Sequence, residues 1–228
     1  MAFCDWSSDV CSSDLNPRKR APRFLFIGAH ADDLEIGCGG TAIELARRYP
    51  RSTFRWVVLS GDSTRHAEAR RAVRALLGTS VKIDLELHSL RESHFPSQLP
   101  DIKATLERLK KDAQPDVVLS HFGGDLHQDH RTVSEAVWNT FRDHLILEYE
   151  IPKFDGGLGS PSFFVPLGKL ALRRKVGTLM KVFKSQHGKR WFTPDTFHGL
   201  MRLRGIECNA PSGFAEAFYA RKIVLGTD

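Results

Sequence analysis

The chain has 228 residues, 41% hydrophobic and 26% charged, with a formal net charge of +6. That length suits one globular domain of roughly 100–200 residues with a modest extension, large enough to bury a core without staples. The composition excludes wholesale disorder, a collagen-like repeat and a disulfide scaffold, and no apolar run reaches the roughly 18 residues of a bilayer-spanning helix.

Residues 1–15, MAFCDWSSDVCSSDL, show neither helical nor strand periodicity and lack the charged-then-apolar order of a signal peptide. They resemble translated read-through more than a designed element. Residues 1–22 are therefore set aside as a non-native or disordered extension, leaving a single domain over 23–228. Cys4 and Cys11 fall in that run. Cys38 and Cys208 then lie far apart in the body, a usage that fits a reducing, cytoplasmic compartment.

In chain order, FLFIG (24–28) predicts a buried strand directly ahead of a polar, glycine-rich stretch. A helix is expected to begin near Gly39 or Thr41. FRWVVLS (54–60), VKIDLEL (81–87) and DVVLS (116–120) predict further strands. Between them, Ala69, Val73 and Leu76, and then Ile102, Leu106 and Leu109, repeat at i, i+4, i+7 and predict two amphipathic helices, the first stopped at Gly78. Val133, Val137 and Phe141 predict another. LILEYEIPKF reads as a strand ending at Pro152, DGGLGSP as a loop, and Leu172, Val176, Leu179 and Phe183 as a helical stripe. A helix from 194 to 204 and a strand near 218–225 complete the pattern. Strands alternating with helices imply an α/β, doubly wound, mostly parallel sheet with helices on both faces, Rossmann-like, with 151–228 forming a cap region.

Two clusters carry the chemistry. The first strand runs into AHADDLEIGCGGT, which sets His30, Asp32, Asp33 and Glu35 at a strand's carboxyl end; HFGGDLHQDHR (121–131) follows the fourth strand in the same way. In open α/β sheets that edge hosts ligands, and neighbouring first and fourth strands would face the two loops across one crevice. A catalytic divalent metal wants about three protein ligands and an open position. His30, Asp33 and His130 supply two imidazoles and a carboxylate. Asp32 remains as an uncoordinated general base for water, while His127 with Asp129 can stabilise an oxyanion or pass a proton to a leaving group. The plainer alternative is that Asp32, Asp33 and Asp129 cap helices. Two other readings compete: a two-His-one-carboxylate iron oxygenase, and a non-catalytic module for a nucleotide or anionic glycan.

The residues AHADDLEIGCGGT and HQDHR resemble the PIG-L (LmbE-like) zinc-dependent de-N-acetylase family, whose signature pairs an A-H-P-D-D type motif with a downstream H-x-D-H. Arg65 to Glu68 resembles the family's R-x-x-E helix, and Lys181 to Gln186 and Glu216 to Phe218 its later stretches; Ala31 stands where the family commonly has proline. The resemblance implies the doubly wound fold, His30, Asp33 and His130 as zinc ligands, Asp32 as base, His127 as transition-state stabiliser with Asp129 behind it, and Arg65 against the substrate. It further implies removal of acetyl from an N-acetylglucosamine-type sugar or its conjugate. The ligand types alone admit Fe2+ or Co2+ as well as Zn2+.

Residues 156–194 hold eight Lys and Arg and no acid. They are expected to form a solvated helix face, and aromatic interleaving is too sparse for a nucleic-acid groove. The partner expected is a small-molecule or conjugated sugar, without nucleic acid; a solvated face is favoured over membrane contact, which stays open, and a homo-oligomer is compatible. The GCGG run lacks a dinucleotide or Walker order, so its glycines are expected to ease tight entry into a helix.

Overall fold

A computed structural model describes residues 21–79 and 81–223. All but two residues of the expected 1–22 extension, and the last two of the strand expected over 218–225, lie outside that range. Within it, seven strands form one sheet: β1 (Arg23–Gly28), β2 (Thr53–Val58), β3 (Lys82–Leu87), β4 (Val117–His121), β5 (Leu145–Tyr149), β6 (Phe163–Pro166) and β7 (Ala215–Tyr219). Their order is β3-β2-β1-β4-β5-β7-β6. The first five are mutually parallel, and β7 is antiparallel to both β5 and β6.

Six helices cover the sheet: α1 (Asp33–Arg48), α2 (Ser63–Leu77), α3 (Leu99–Ala113), α4 (Gln128–Thr140), α5 (Lys169–Val182) and α6 (Pro194–Glu207), with a short 3₁₀ turn at Lys184–Gln186. Strand periodicity sorts the core into two layers. Phe24, Phe26, Phe54 and Trp56 join the cluster under α1, α2, α5 and α6, whereas Leu25, Ile27, Val57 and Val118 join the one under α3 and α4. Both faces of β1 are thus buried, which is why its sequence is continuously apolar rather than alternating. Each of these large side chains, fully removed from water, contributes about 1.5–3 kcal/mol. The expected stripes behave likewise: Ile102, Leu106 and Leu109 are 0% exposed.

Three features differ from the sequence expectation. β6 was hidden, because three half-buried residues followed by an exposed proline give no readable period. The final strand covers 215–219 rather than 218–225, and the region from 151 onward adds two strands to the sheet edge and two helices to one face. α1 begins at Asp33 and kinks at Cys38 (φ −143°, ψ 17°) instead of starting near Gly39 or Thr41. The kink opens a second helical N-terminus, and Glu216 of β7 fills it, accepting from Gly40 N (2.8 Å) and Thr41 N (2.6 Å). Lys175 neutralises that carboxylate at 2.6 Å and also donates to Ile36 O. This lysine is 2% exposed, so it does not belong to the solvated face expected of the basic segment. The glycines of GCGG serve close approach: a Cβ at Gly37 would overlap the Tyr149 ring, and one at Gly40 would lie 2.6 Å from Leu167 Cδ1.

Candidate active site

β1 and β4 are parallel neighbours, and the chain proceeds from β1 outward to β2 and β3 on one side and from β4 to β5 on the other. The order reverses between them, so the loops leaving their carboxyl ends part over a crevice. Both His/Asp clusters lie there. The crevice is a cleft of about 450 Å³ whose walls include His30, Asp32, Asp33, Arg65, His127, His130, Lys153 and Trp191.

His30, Asp33 and His130 converge although a hundred positions separate the two histidines. His30 Nδ1 is 3.2 Å from His130 Nε2 and 3.3 Å from Asp33 Oδ2, and His130 Nε2 is 3.5 Å from Asp33 Oδ1. Donor atoms about 2.0–2.2 Å from a tetrahedral ion stand roughly 3.3–3.5 Å apart, the range of these contacts, with the two histidines facing different oxygens of Asp33. The outer ring nitrogens explain the orientation. His30 Nε2 donates to Asp129 Oδ2 (3.2 Å) and His130 Nδ1 to Asp125 Oδ2 (3.0 Å), so in the neutral rings both inner lone pairs point at one spot beside a carboxylate. Such a set fits a divalent cation. His130 also belongs to two further close groupings, one with His30 and His127 and one with Asp33 and His121.

The electrostatics of the cluster agree with this arrangement. Burial opposes a charge on His30, but Asp33 and the bond to Asp129 override it and raise its pKa to about 10. His130 is also raised against burial, by Asp33 and Asp125, and burial of Asp33 is overridden by His130, His30 and His121, which hold it well below the carboxylate range. The cluster thus favours positive charge between the two rings and the carboxylate. Ion binding is therefore expected to release at least one proton per ion at pH 7, with affinity rising about tenfold per pH unit for each proton displaced. Calorimetric titration in two buffers of different ionisation enthalpy measures that number, and a value of zero would contradict this account.

None of the three aspartates caps a helix. Asp32 is the N-cap residue of α1, yet its side chain makes no capping bond. Asp33 Oδ2 accepts from His30 N at 2.7 Å. The cap of α4 is His127, whose Nδ1 accepts from Asp129 N at 3.2 Å. Asp129 turns its carboxylate to His30 and to the backbone N–H groups of Ser93 (2.6 Å) and Phe95 (3.1 Å). Its side chain stands behind His30 rather than behind His127, where it was expected. His127 has a lowered pKa, from burial and then from His130 and His30. A neutral ring accepting at Nδ1 carries its proton on Nε2. Arg65 lies in the cleft wall with Nη2 at 2.5 Å from Asp32 Oδ1. Glu35, the fourth polar residue of the first motif, is 0% exposed with neither oxygen hydrogen-bonded among the described residues, and burial keeps its carboxyl well above the usual range.

Sequence reasoning missed several supports. Asp125 takes His130 Nδ1, His127 N (2.8 Å) and Lys153 Nζ (2.6 Å), and its pKa falls to about 2 because these bonds outweigh burial. Its place in the second motif was a visible signal. His121, which opens the second motif and was given no role there, is fully buried and stacks on His130 with ring centroids 4.0 Å apart; burial and then His130 lower its pKa to about 4. Nothing in the sequence marks Lys153, which only the chain path after β5 brings to Asp125.

Fold and site together define a doubly wound α/β protein with a His/Asp donor set at the switch point of its sheet. Residues 25–141 match the family model described as PIG-L, GlcNAc-PI de-N-acetylase, and the chain belongs to that deacetylase family. It is 36% identical over 151 residues to an uncharacterized deacetylase, YaiS, of Escherichia coli (strain K12), spanning 61% of this chain and 78% of that one. Among solved structures, it resembles the N,N'-diacetylchitobiose deacetylase of Pyrococcus horikoshii (TM-score 0.65, 18% identity, 94% of this chain and 88% of that one). It equally resembles GalB, the 4-carboxy-2-hydroxymuconate hydratase of Pseudomonas putida KT2440 (TM-score 0.69, 16% identity, 91% and 99%). At those identities the likeness speaks for the fold, and the fold hosts more than one reaction.

Proposed function

We propose that this protein is a metal-dependent N-deacetylase of an N-acetylglucosamine-type sugar or its conjugate, with His30, Asp33 and His130 holding a zinc ion. The observation that carries the reading is the convergence of His30, Asp33 and His130, their contacts 3.2–3.5 Å long through the two Asp33 oxygens, beside an aspartate that caps nothing. The family match supports amide hydrolysis, and the chitobiose deacetylase supports a sugar. Iron or cobalt would suit the same donors.

A bound metal polarises the acetyl carbonyl and makes water a better nucleophile. Asp32 accepts the proton of the water that adds to the carbonyl carbon. No hydrogen bond to its Oδ2 occurs among the described residues, which leaves that oxygen available. His127, with its proton on Nε2, donates a hydrogen bond to the oxygen that becomes negative, and the proton that Asp32 took from the water passes to the departing nitrogen. The C–N bond breaks to acetate and a free amine. Asp129 and Asp125 keep the two imidazole ligands turned inward throughout. The iron oxygenase reading has no use for an uncoordinated carboxylate at Asp32.

The test is metal analysis together with an acetate-release screen over free, lipid-linked, nucleotide-linked and glycan-linked N-acetyl sugars, each assayed with zinc, iron and cobalt. About one ion per chain and acetate from at least one class are expected. No acetate with any metal would overturn the proposal.

A further inference from the structure

Asp32 is expected to work as a base, yet nothing on its own helix holds it. Its side chain ignores the free N–H groups of α1, which an N-cap aspartate normally takes. Its hydrogen bond among the described residues is to Arg65 Nη2, at 2.5 Å from Oδ1.

Arg65 is itself fixed from behind. Its Nη1 lies 2.9 Å from Ser185 Oγ and 3.5 Å from Glu68 Oε2, and its guanidinium carbon sits 5.8 Å from the centroid of the Phe183 ring. Arg65 and Glu68 are one turn apart on α2. Glu68 is 2% exposed and grips Ser185 twice, accepting from its N–H at 3.0 Å and its hydroxyl at 2.6 Å. The Ser185 hydroxyl therefore spends its proton on Glu68 and can only accept from Arg65 and from Gln186 Nε2 (3.1 Å). Glu68 latches the Lys184–Gln186 turn to α2, the turn holds one arm of the guanidinium, and the other arm reaches Asp32. A guanidinium engaged on both arms, with a side chain 16% exposed, is poorly placed to clamp a substrate.

We infer that Arg65 is a positioning residue that aims Asp32, with Glu68 and Ser185 as its anchor. This rests on the proposed role of Asp32. The KM-against-kcat split separates it from a substrate clamp. Arg65→Met is expected to lower kcat about 10²-fold, the scale of a misplaced catalytic group, with KM changed less than about twofold. Glu68→Gln, remote from the cleft, should lower kcat in the same sense by about tenfold, and Arg65→Lys should recover part of the loss, since an ammonium reaches Asp32 but cannot span to Ser185. In an Asp32→Asn background, Arg65→Met should add less than about twofold, because the two act as a unit. A rise in KM at constant kcat, additive with Asp32→Asn, would overturn the inference. Crystals of Arg65→Met decide independently of activity: the Asp32 carboxylate is expected to turn back onto the first turn of α1, and an unmoved Asp32 would overturn the inference. Wild-type protein that releases no acetate would count against the proposed function alone.

Discussion

Asp32→Asn is expected to lower kcat about 10²–10⁴-fold, the range supplied by a positioned general base, while metal content stays at about one ion per chain. The amide matches the carboxylate in shape and can still accept from Arg65, so the 2.5 Å contact has a substitute. What it cannot do is take a proton. Asp32 lies outside the triangle of His30, Asp33 and His130, which is why metal should stay. KM should change little, because the lost interaction belongs to the transition state. Steady-state kinetics and elemental analysis on the same preparation check both halves. Wild-type turnover would remove Asp32 from the chemistry, and loss of the metal would make it a ligand.

His130→Ala should strike the metal first. Substituting a group that merely orients a ligand costs about 10–100-fold in metal affinity, so removing the ligand itself should cost more. His130 is 2% exposed, and its loss strips a partner from two buried carboxylates, Asp125 and Asp33. Competition with a chromophoric chelator measures the affinity, and acetate release should vanish in step with the bound ion. His127→Ala provides the contrast: metal retained and kcat reduced about 10²–10³-fold, as when an oxyanion donor is deleted. If His130→Ala bound metal as tightly as wild type, the centre would be elsewhere, and the grouping of His30 with His127 would be the next place to look.

Much of the fold was legible because its signals are local. Apolar residues dominate β1, β2 and β4, whose two faces feed separate cores, and i, i+4, i+7 stripes mark α2 and α3. The glycine closing α2 has φ +59°, as a helix stop requires. β6 escaped because its three half-buried residues and exposed proline carry no period. The start of α1 escaped because glycines and acids in its first turns look like a loop, and only Glu216, reached from β7, shows how its kink is satisfied.

The residue types at the site, His30, Asp32, Asp33, His127, Asp129 and His130, were determined by the sequence alone, since a cation needs lone pairs and carboxylates and these cluster in two short motifs. Which carboxylate serves which ring was decided by the tertiary structure. Asp129 turns to His30 and Arg65 to Asp32, because the reversal of strand order between β1 and β4 brings one loop against the other and Glu68 anchors the arginine from a third side. A hydrogen bond depends on direction and on a few tenths of an ångström, and partners so far apart in the chain acquire both only when the sheet is assembled.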